Sequence, residues 1–351
     1  MEPNLPMIQS QIWHVAKDTA FAAEYEDAAQ VQDGRAAIAD GVSTAIFSGR
    51  WARILTKRAV EAPPDISQSD GWIKWLVEPR RLWLDDIDFP RMPVHQKNKL
   101  RQVGGSFSTL CWIEFYSLPR SDGEGSTCHL RSFALGDSCL LHIRSGELLK
   151  SFPLTTSSEF DLDPDSICSV ATSRDERQPL ATTDFECLEG DRIVLVTDAI
   201  AKWMLLGVEN GDRAPWEELW SLDEANWIVA IERLRDANIM KRDDTTMVVL
   251  QVGDEIPPWL QSTPAVAEIG DPQSIQEQEC NDLNAESLVV FAEYVVDDAE
   301  SAGGRAGDIP GVCGIENNST SQIETANDIS DATLSEVESP ALDEREGPIG
   351  V

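Results

Sequence analysis

Four aspartates in this chain each stand where an apolar run stops or starts. Ala36-Ala37-Ile38-Ala39 leads into Asp40-Gly41, Phe133-Ala134-Leu135-Gly136 into Asp137-Ser138, and Ile193-Val194-Leu195-Val196-Thr197 into Asp198-Ala199. Asp243-Asp244 sits just ahead of Thr245-Thr246-Met247-Val248-Val249-Leu250. In an antiparallel sheet the end of one strand and the start of its neighbour share an edge, so the spacing predicts that these carboxylates gather at one rim. Gathered carboxylates with no Lys or Arg among them repel one another, and such a site is costly unless cations lie between them. All-oxygen donors, without His or Cys interleaved, select magnesium or manganese over zinc or copper. Small neighbours at Gly41, Gly136 and Ala199 leave room for backbone carbonyls and water. One such Asp alone reads as a turn or helix cap; four in this context read as a metal centre.

The elements that must position them alternate between short β-rich runs and amphipathic stretches up to about Val252, as in a mixed α and β domain with a buried sheet face. Strands are predicted over 36–39, 107–115, 129–135, 140–144, 192–197 and 246–252. Helices are predicted over 48–60, 72–82, 199–206, 215–220 and 224–238. Asp33-Gly34 and Ser145-Gly146 read as hairpin turns. Trp72 and Trp75, and again Trp216, Trp220 and Trp227, fall at helical spacings and read as core-facing anchors. The stretch 61–103, irregular and carrying Pro63, Pro64, Pro79, Pro90 and Pro93, reads as an insertion or flap.

The 351 residues carry 28 Lys+Arg against 62 Asp+Glu, a net charge of −34. From Asp254 onward 22 acidic residues face 2 basic ones, so −20 of that charge lies in the last 98 residues. Too little apolar area remains there to offset the ordering entropy, and 254–351 reads as a mostly disordered acidic tail. Leu288 to Val296 is the exception, apolar enough to dock on a partner or on its own domain. The first 253 residues form the folded domain. The acidic balance argues against nucleic acid and anionic membrane as partners, since both need a cationic surface. No apolar run reaches about 18 residues, which argues against a membrane span. The start lacks a signal pattern, and the seven cysteines contain no Cys-x-x-Cys pair, so the expected location is cytoplasmic.

Other chemistries fail on the inventory. His14, His95, His129 and His142 form no His-Glu-x-x-His pair, no Gly-x-Ser-x-Gly elbow occurs, and no cysteine opens a phosphate loop ending in arginine. Gly104-Gly105-Ser106 lacks the lysine and helix start of a P-loop. His14 and His142 read as structural.

Taken in order, Glu26-Asp27-Ala28, Ile38-Ala39-Asp40-Gly41-Val42-Ser43, Gly104-Gly105-Ser106-Phe107-Ser108-Thr109-Leu110, Ala134-Leu135-Gly136-Asp137-Ser138, Gly190 to Ala199, and Arg242-Asp243-Asp244-Thr245-Thr246 resemble the motifs of the metal-dependent serine/threonine protein phosphatases of type 2C, most of all the bacterial branch. The resemblance spans Trp13 to Val252. Each motif is weak alone; six in order are specific. What it implies is an α+β fold, a four-layer α-β-β-α sandwich with two central antiparallel sheets, and two Mn2+ or Mg2+ ions at one end. By motif Asp40 would bridge both ions and the Gly41 carbonyl would bind one. Asp198 and Asp243 would complete one site, Glu26 would hold the other largely through water, and Asp137 would lie near a third, weaker ion. Asp27 matches the second acid of the Glu-Asp pair, while Thr109 and Ser138 would pack rather than react. The implied activity is hydrolysis of phosphoserine and phosphothreonine in proteins, with a phosphorylated protein as substrate and a cognate Ser/Thr kinase as counterpart. A pseudophosphatase binding module and a hydrolase of small phosphate esters are the alternatives.

Three positions depart from the family pattern. Ala22 stands where many members carry an arginine that grips the phosphate, Val42 where eukaryotic members have a histidine, and Ala199 where glycine is usual. By sequence, Lys17, Arg50 and Arg53 are the nearest cations to replace that grip.

Overall fold

The computed structural model describes residues 8–120, 125–160, 164–172, 180–212 and 216–253. The acidic tail 254–351, with its apolar segment Leu288 to Val296, lies outside the described residues. Two five-stranded antiparallel sheets form the centre. One runs in the order β1 (Ile8–Val15), β12 (Thr245–Val252), β11 (Arg192–Val196), β7 (Cys139–Arg144), β8 (Glu147–Phe152). The other runs β10 (Ala181–Cys187), β6 (Ser126–Leu135), β5 (Leu110–Pro119), β3 (Arg35–Ala39), β2 (Ala28–Gln32). A short pair, β4 (Phe107–Ser108) with β9 (Ile167–Cys168), stands apart.

Three apolar clusters define the layers. Ile38, Ile113 and Leu130 of one sheet meet Leu140, Leu195, Val248 and Leu250 of the other between the sheets. On the outer face of the β3 sheet, Trp112 and Phe133 pack with Trp51 and Leu55 of α1 (Ser48–Glu61) and Leu76 and Trp83 of α2 (Gly71–Asp85). On the outer face of the β11 sheet, Val194 and Val249 pack with Ile200 and Met204 of α4 (Asp198–Glu209) and Trp227 and Ile231 of α5 (Glu224–Asp236). The architecture is therefore the four-layer α-β-β-α sandwich. No helix among the described residues is long and apolar enough to cross a membrane.

All six predicted strands exist, and they are the six interior strands; the 107–115 run divides into β4 and the start of β5. The four edge strands β1, β2, β8 and β10 went unread. The reason is visible in β10, whose Ala-Thr-Thr-Asp-Phe-Glu-Cys alternates exposed polar residues, and in β1, whose inward positions include Gln9 and Gln11. The stretch 61–103 holds α2 and α3 (Val94–Val103), with Trp72, Leu76, Trp83 and Leu100 buried on the β3 sheet. The helix predicted over 215–220 is corrected. Residues 216–220 form one hydrogen-bonded turn, Leu219 and Trp220 N–H donating to the Trp216 carbonyl, before Asp223 caps α5. Trp216 and Trp220 are nonetheless core residues, as their spacing indicated. Both hairpin turns hold. Asp33-Gly34 and Ser145-Gly146 all take positive φ, between 49° and 82°, the backbone that joins two-residue hairpins.

Arg235 of α5 fixes how β12 begins. Its side chain is fully buried, and its guanidinium donates to the carbonyls of Ala16 (2.9 Å) and Asp243 and to Thr245 Oγ1 (2.8 Å), with Glu232 alongside. Replacing it strands those acceptors without water. Arg235→Ala is expected to cost about 3 kcal/mol, lowering the thermal midpoint by roughly 6–12 °C, as a circular-dichroism melt would read; an unchanged midpoint would contradict this role.

Candidate metal centre

The registers bring the predicted residues to one rim. In the β3 sheet Ile38 lies opposite Cys111 and Leu110 opposite Leu135, so Asp40, Thr109 and Asp137 leave their strands side by side. Asp40 is pinned there through its backbone: its N–H donates to Thr109 Oγ1 (3.1 Å), and its carbonyl accepts from Thr109 N–H (2.9 Å) and Ser108 Oγ (2.8 Å). Thr109 Oγ1 and Ser138 Oγ are 2.6 Å apart, so both are occupied with packing, as expected. In the other sheet Val196 pairs with Met247 and Val15 with Thr245, which places Asp198, Asp243 and Asp244 at the same end. Asp198 is the first residue of α4, where its Oδ1 accepts the Ala199 N–H at 2.6 Å. A carboxylate is favoured at that position by the helix's unpaired N–H groups.

Glu26-Asp27 joins the two sheets. Asp27 enters β2 and is almost wholly buried; its Oδ2 accepts from Thr197 Oγ1 (3.0 Å) and Thr246 Oγ1 (2.7 Å) of the opposite sheet. Asp244 accepts the backbone N–H groups of Lys17 (2.6 Å) and Glu26 (2.7 Å), which ties the segment carrying Glu26 to the start of β12. Gly41 is needed for close approach. A Cβ there would lie 2.6 Å from the Glu26 carbonyl oxygen and 2.8 Å from the Ser48 carbonyl carbon, so any side chain would push the Glu26 segment and α1 apart.

The charges are not balanced by neighbours. Burial, then Asp244 and Asp198, push the Asp27 carboxyl well above the usual carboxylate range. Burial, then Asp27, Asp198, Asp137 and Asp243, do the same to Asp40. Burial, then chiefly Asp198, raise Asp137 to about 7, against partial relief from Lys241. Asp27 Oδ1 and Asp137 Oδ1 are buried without a hydrogen-bond partner. Burial also raises Asp244, although the Lys17 and Glu26 N–H groups counter it.

Two lysines stand among these acids, which corrects the expectation of a cluster free of Lys and Arg. Lys241 Nζ lies 2.8 Å from Asp198 Oδ2 and 2.7 Å from Asp243 Oδ2. Lys17 Nζ lies 2.8 Å from both Glu26 Oε2 and Ser43 Oγ. Burial opposes the charge on each lysine, but the carboxylates outweigh it and hold both protonated. Among the described residues no three His, Cys, Asp or Glu side chains are drawn close enough to form a finished ion site. Of the candidate phosphate grips Lys17 reaches this rim, through its bond to Glu26, whereas Arg50 pairs with Asp86. Lys241 and Asp244 carry no role in the sequence reading, although Asp244 follows Asp243 in the motif and Lys241 lies just ahead of the motif's Arg242.

The donor set fits a hard divalent cation. It is all oxygen, Asp137 Oδ1 is buried and unpaired, and Asp40 carries its raised carboxyl into a ring of other acids. All-oxygen donors of this kind suit magnesium or manganese.

No protein-family model matches the chain, and no curated protein sequence matches it. Solved structures similar to it include PppA, a regulatory component of the type VI secretion system in Pseudomonas aeruginosa, at 14% identity and a TM-score of 0.43, covering 71% of this chain and 99% of that one. The serine/threonine phosphatase PstP/Ppp of Mycobacterium tuberculosis is 16% identical with a TM-score of 0.43, covering 70% and 99%. The PPM Ser-Thr phosphatase MsPP of Mycobacterium smegmatis is 16% identical with a TM-score of 0.39, covering 71% and 100%. None of these three scores reaches 0.5, so the site stands on its own geometry.

Asp137 gives this geometry a pH signature. Its carboxyl titrates near 7 in the folded chain against an ordinary 3.8. Over that interval the native state holds a proton the unfolded chain has lost, so the stability present below pH 3.8 declines as the pH rises toward 7. Asp137→Asn has no proton to lose. In chelator, its stability advantage over wild type is expected to widen between about pH 4 and about pH 8, by up to about 4 kcal/mol; the same gap in melts at both pH values would show that the carboxyl is not held neutral.

Proposed function

We propose that this chain is a metal-dependent protein serine/threonine phosphatase of the type 2C kind. The observation that carries the reading is the convergence of Asp40, Asp137, Asp198 and Asp243 at one rim of two stacked antiparallel sheets, with Asp40 and Asp137 held above the carboxylate range by burial and by the other acids. The motif resemblance supports it, because the residues that converge are those the motifs single out.

In this reading Asp40 would be shared by a pair of Mn2+ or Mg2+ ions, Asp198 and Asp243 completing one site and Glu26 holding the other largely through water, with the Gly41 carbonyl on one of the two. Asp137 would serve a third, weaker site. When bound, such ions lower the pKa of a water to near neutrality and stabilise the charge that develops on a phosphoryl group in flight. The chain's own contribution is position. The backbone bonds of Asp40 to Ser108 and Thr109 fix it at the strand end, Asp27 clamps the two sheets in register, and Gly41 keeps the rim closed. Lys17, bonded to Glu26 and Ser43, is the cation best placed to meet a phosphate where Ala22 offers nothing. The substrate would be a phosphorylated protein, with a Ser/Thr kinase as its counterpart, and nucleic acid and membrane are not partners of so acidic a chain. The expected location stays cytoplasmic. A second reading, a pseudophosphatase binding module, draws on one specific observation: the Lys241 ammonium already spans Asp198 and Asp243.

Turnover of a phosphothreonine peptide in manganese, against the same assay in chelator, separates the two. The phosphatase reading expects activity only with the metal, and a lower rate on the matching phosphotyrosine peptide. Asp40→Asn should lose about 4 kcal/mol of transition-state stabilisation, roughly 1000-fold in kcat/KM. Wild-type turnover by Asp40→Asn at saturating manganese would overturn the assignment.

The domain assignment is proposed on the same footing: the folded unit ends near Gly253, and the acidic segment after it acts on a partner or on the domain rather than in the chemistry. A chain ending at Gly253 is expected to keep its melting midpoint and its metal-dependent turnover of a small phosphate ester. A midpoint drop of more than about 5 °C, worth over 1 kcal/mol for a domain of this size, would instead place the tail within the fold.

A further inference from the structure

Among the described residues Lys241 is the one side chain with ion pairs to both Asp198 and Asp243, at 2.8 and 2.7 Å. Those acids arrive from different elements, one opening α4 and the other preceding β12, so the ammonium is the tie between them. A divalent ion shared by the same two carboxylates must approach the same oxygen lone pairs. The Oδ1 atoms of Asp198 and Asp243 already accept the Ala199 and Asp244 N–H groups, so an ion at a contact distance of about 2.0–2.1 Å competes for the Oδ2 atoms the ammonium holds, and two cations there would repel.

The surroundings give the lysine somewhere to go. Its side chain is 53% exposed, against 15% for Asp198 and 24% for Asp243. Beside it opens a recess of about 350 Å3 lined in part by Trp203, Leu206, Asn238, Ile239 and Arg242. Leu206 and Ile239 are exposed apolar residues, so the methylene stem of a displaced lysine has apolar surface to lie on while its head stays in water. On the far side, Asp137 Oδ1 remains buried and unpaired, which marks the site as short of positive charge even with the lysine in place.

We propose that Lys241 is a built-in counter-cation, displaced from Asp198 and Asp243 when a divalent ion binds, and that it thereby sets how tightly this chain holds metal. The inference rests on the metal-dependent reading above and adds a positioning residue to it. Lys241 acts on the ion through the carboxylates and does not itself touch the reacting atoms. Without it the metal meets two free carboxylates instead of a neutralised pair.

The test is Mn2+ binding to the full chain by isothermal titration calorimetry, for wild type, Lys241→Met, Lys241→Gln and Lys241→Arg. The methionine and glutamine variants are expected to bind at least about tenfold more tightly, a gain of about 1.4 kcal/mol, whereas the arginine variant, which keeps a cation on the pair, gains nothing. A lysine with only a structural role would lower the metal-free melting point without tightening Mn2+. Glutamine stands in should methionine fail to fold. If wild type binds Mn2+, Asp40→Asn abolishes that binding, and neither neutral variant binds more tightly, the counter-cation proposal fails and the metal site survives. If none of the proteins binds Mn2+, the metal-dependent reading falls and takes the proposal with it.

Discussion

Like charge forced into one place is the constraint around which this molecule is arranged. Asp27, Asp40 and Asp137 are all buried enough for desolvation to lead the list of what raises them, and in each case the next contributors are other aspartates. No fold places such a group at a strand edge for stability, since each unpaired carboxylate withdrawn from water is a loss. The antiparallel stack makes the placement possible: every element that ends at this rim is held along its length by a partner strand. The crowding is then confined to the first or second residue beyond the ladder. Asp27 shows how close the two sheets are bound at that end, its carboxylate spanning from β2 to the hydroxyls of Thr197 and Thr246. The clamp that holds the sheets together is thus itself one of the acids whose charge the site has to manage.

What could be read from the sequence divides along a physical line. Interior strands such as β11, Arg-Ile-Val-Leu-Val, are covered on both faces and carry continuous apolar runs, so they were legible. Edge strands are half solvated. In β10 the alternating Thr, Asp and Glu gave no apolar signal to read, and β1 buries glutamines that propensity would place outside. Helix α3 was hidden for a related reason, with Leu100 its single buried residue and hence no stripe of period 3.6. Trp216 and Trp220 misled in the opposite direction: two buried rings on one tight turn carry the spacing of a helix without being one.

The acids of the site were legible because each is announced by the strand it terminates. The lysines were not, because a cation's partner is decided by tertiary structure. Lys241 stands one residue removed from Asp243 in sequence, with Arg242 between, yet half its bonding goes to Asp198, 43 residues away. Nothing local in Met240-Lys241-Arg242 distinguishes it from the arginine beside it, which instead reaches Glu232 and Asp236 on α5.

Strand β11 has at its two ends an acid met by fixed donors and an acid that is not. Asp191, just before it, has a side chain with no exposure at all, yet it receives His142 Nε2 (2.8 Å), Arg144 Nε (2.7 Å), Arg144 Nη2 (2.8 Å) and the Leu188 N–H (2.8 Å). Burial alone would raise this carboxyl, but the donors overwhelm it and hold it below the ordinary range. Asp198, just after the same strand, takes one backbone N–H and a lysine that is half in solvent. The five residues of β11 and Thr197 separate the two. The sheet therefore does not determine how an acid at its end is satisfied; the supply of fixed donors does. At the Asp191 end the lone pairs are satisfied by groups that cannot leave, so that end can only hold the fold together. At the Asp198 end they are met by a half-exposed ammonium, which is the acceptor capacity that the proposed metal centre would draw on.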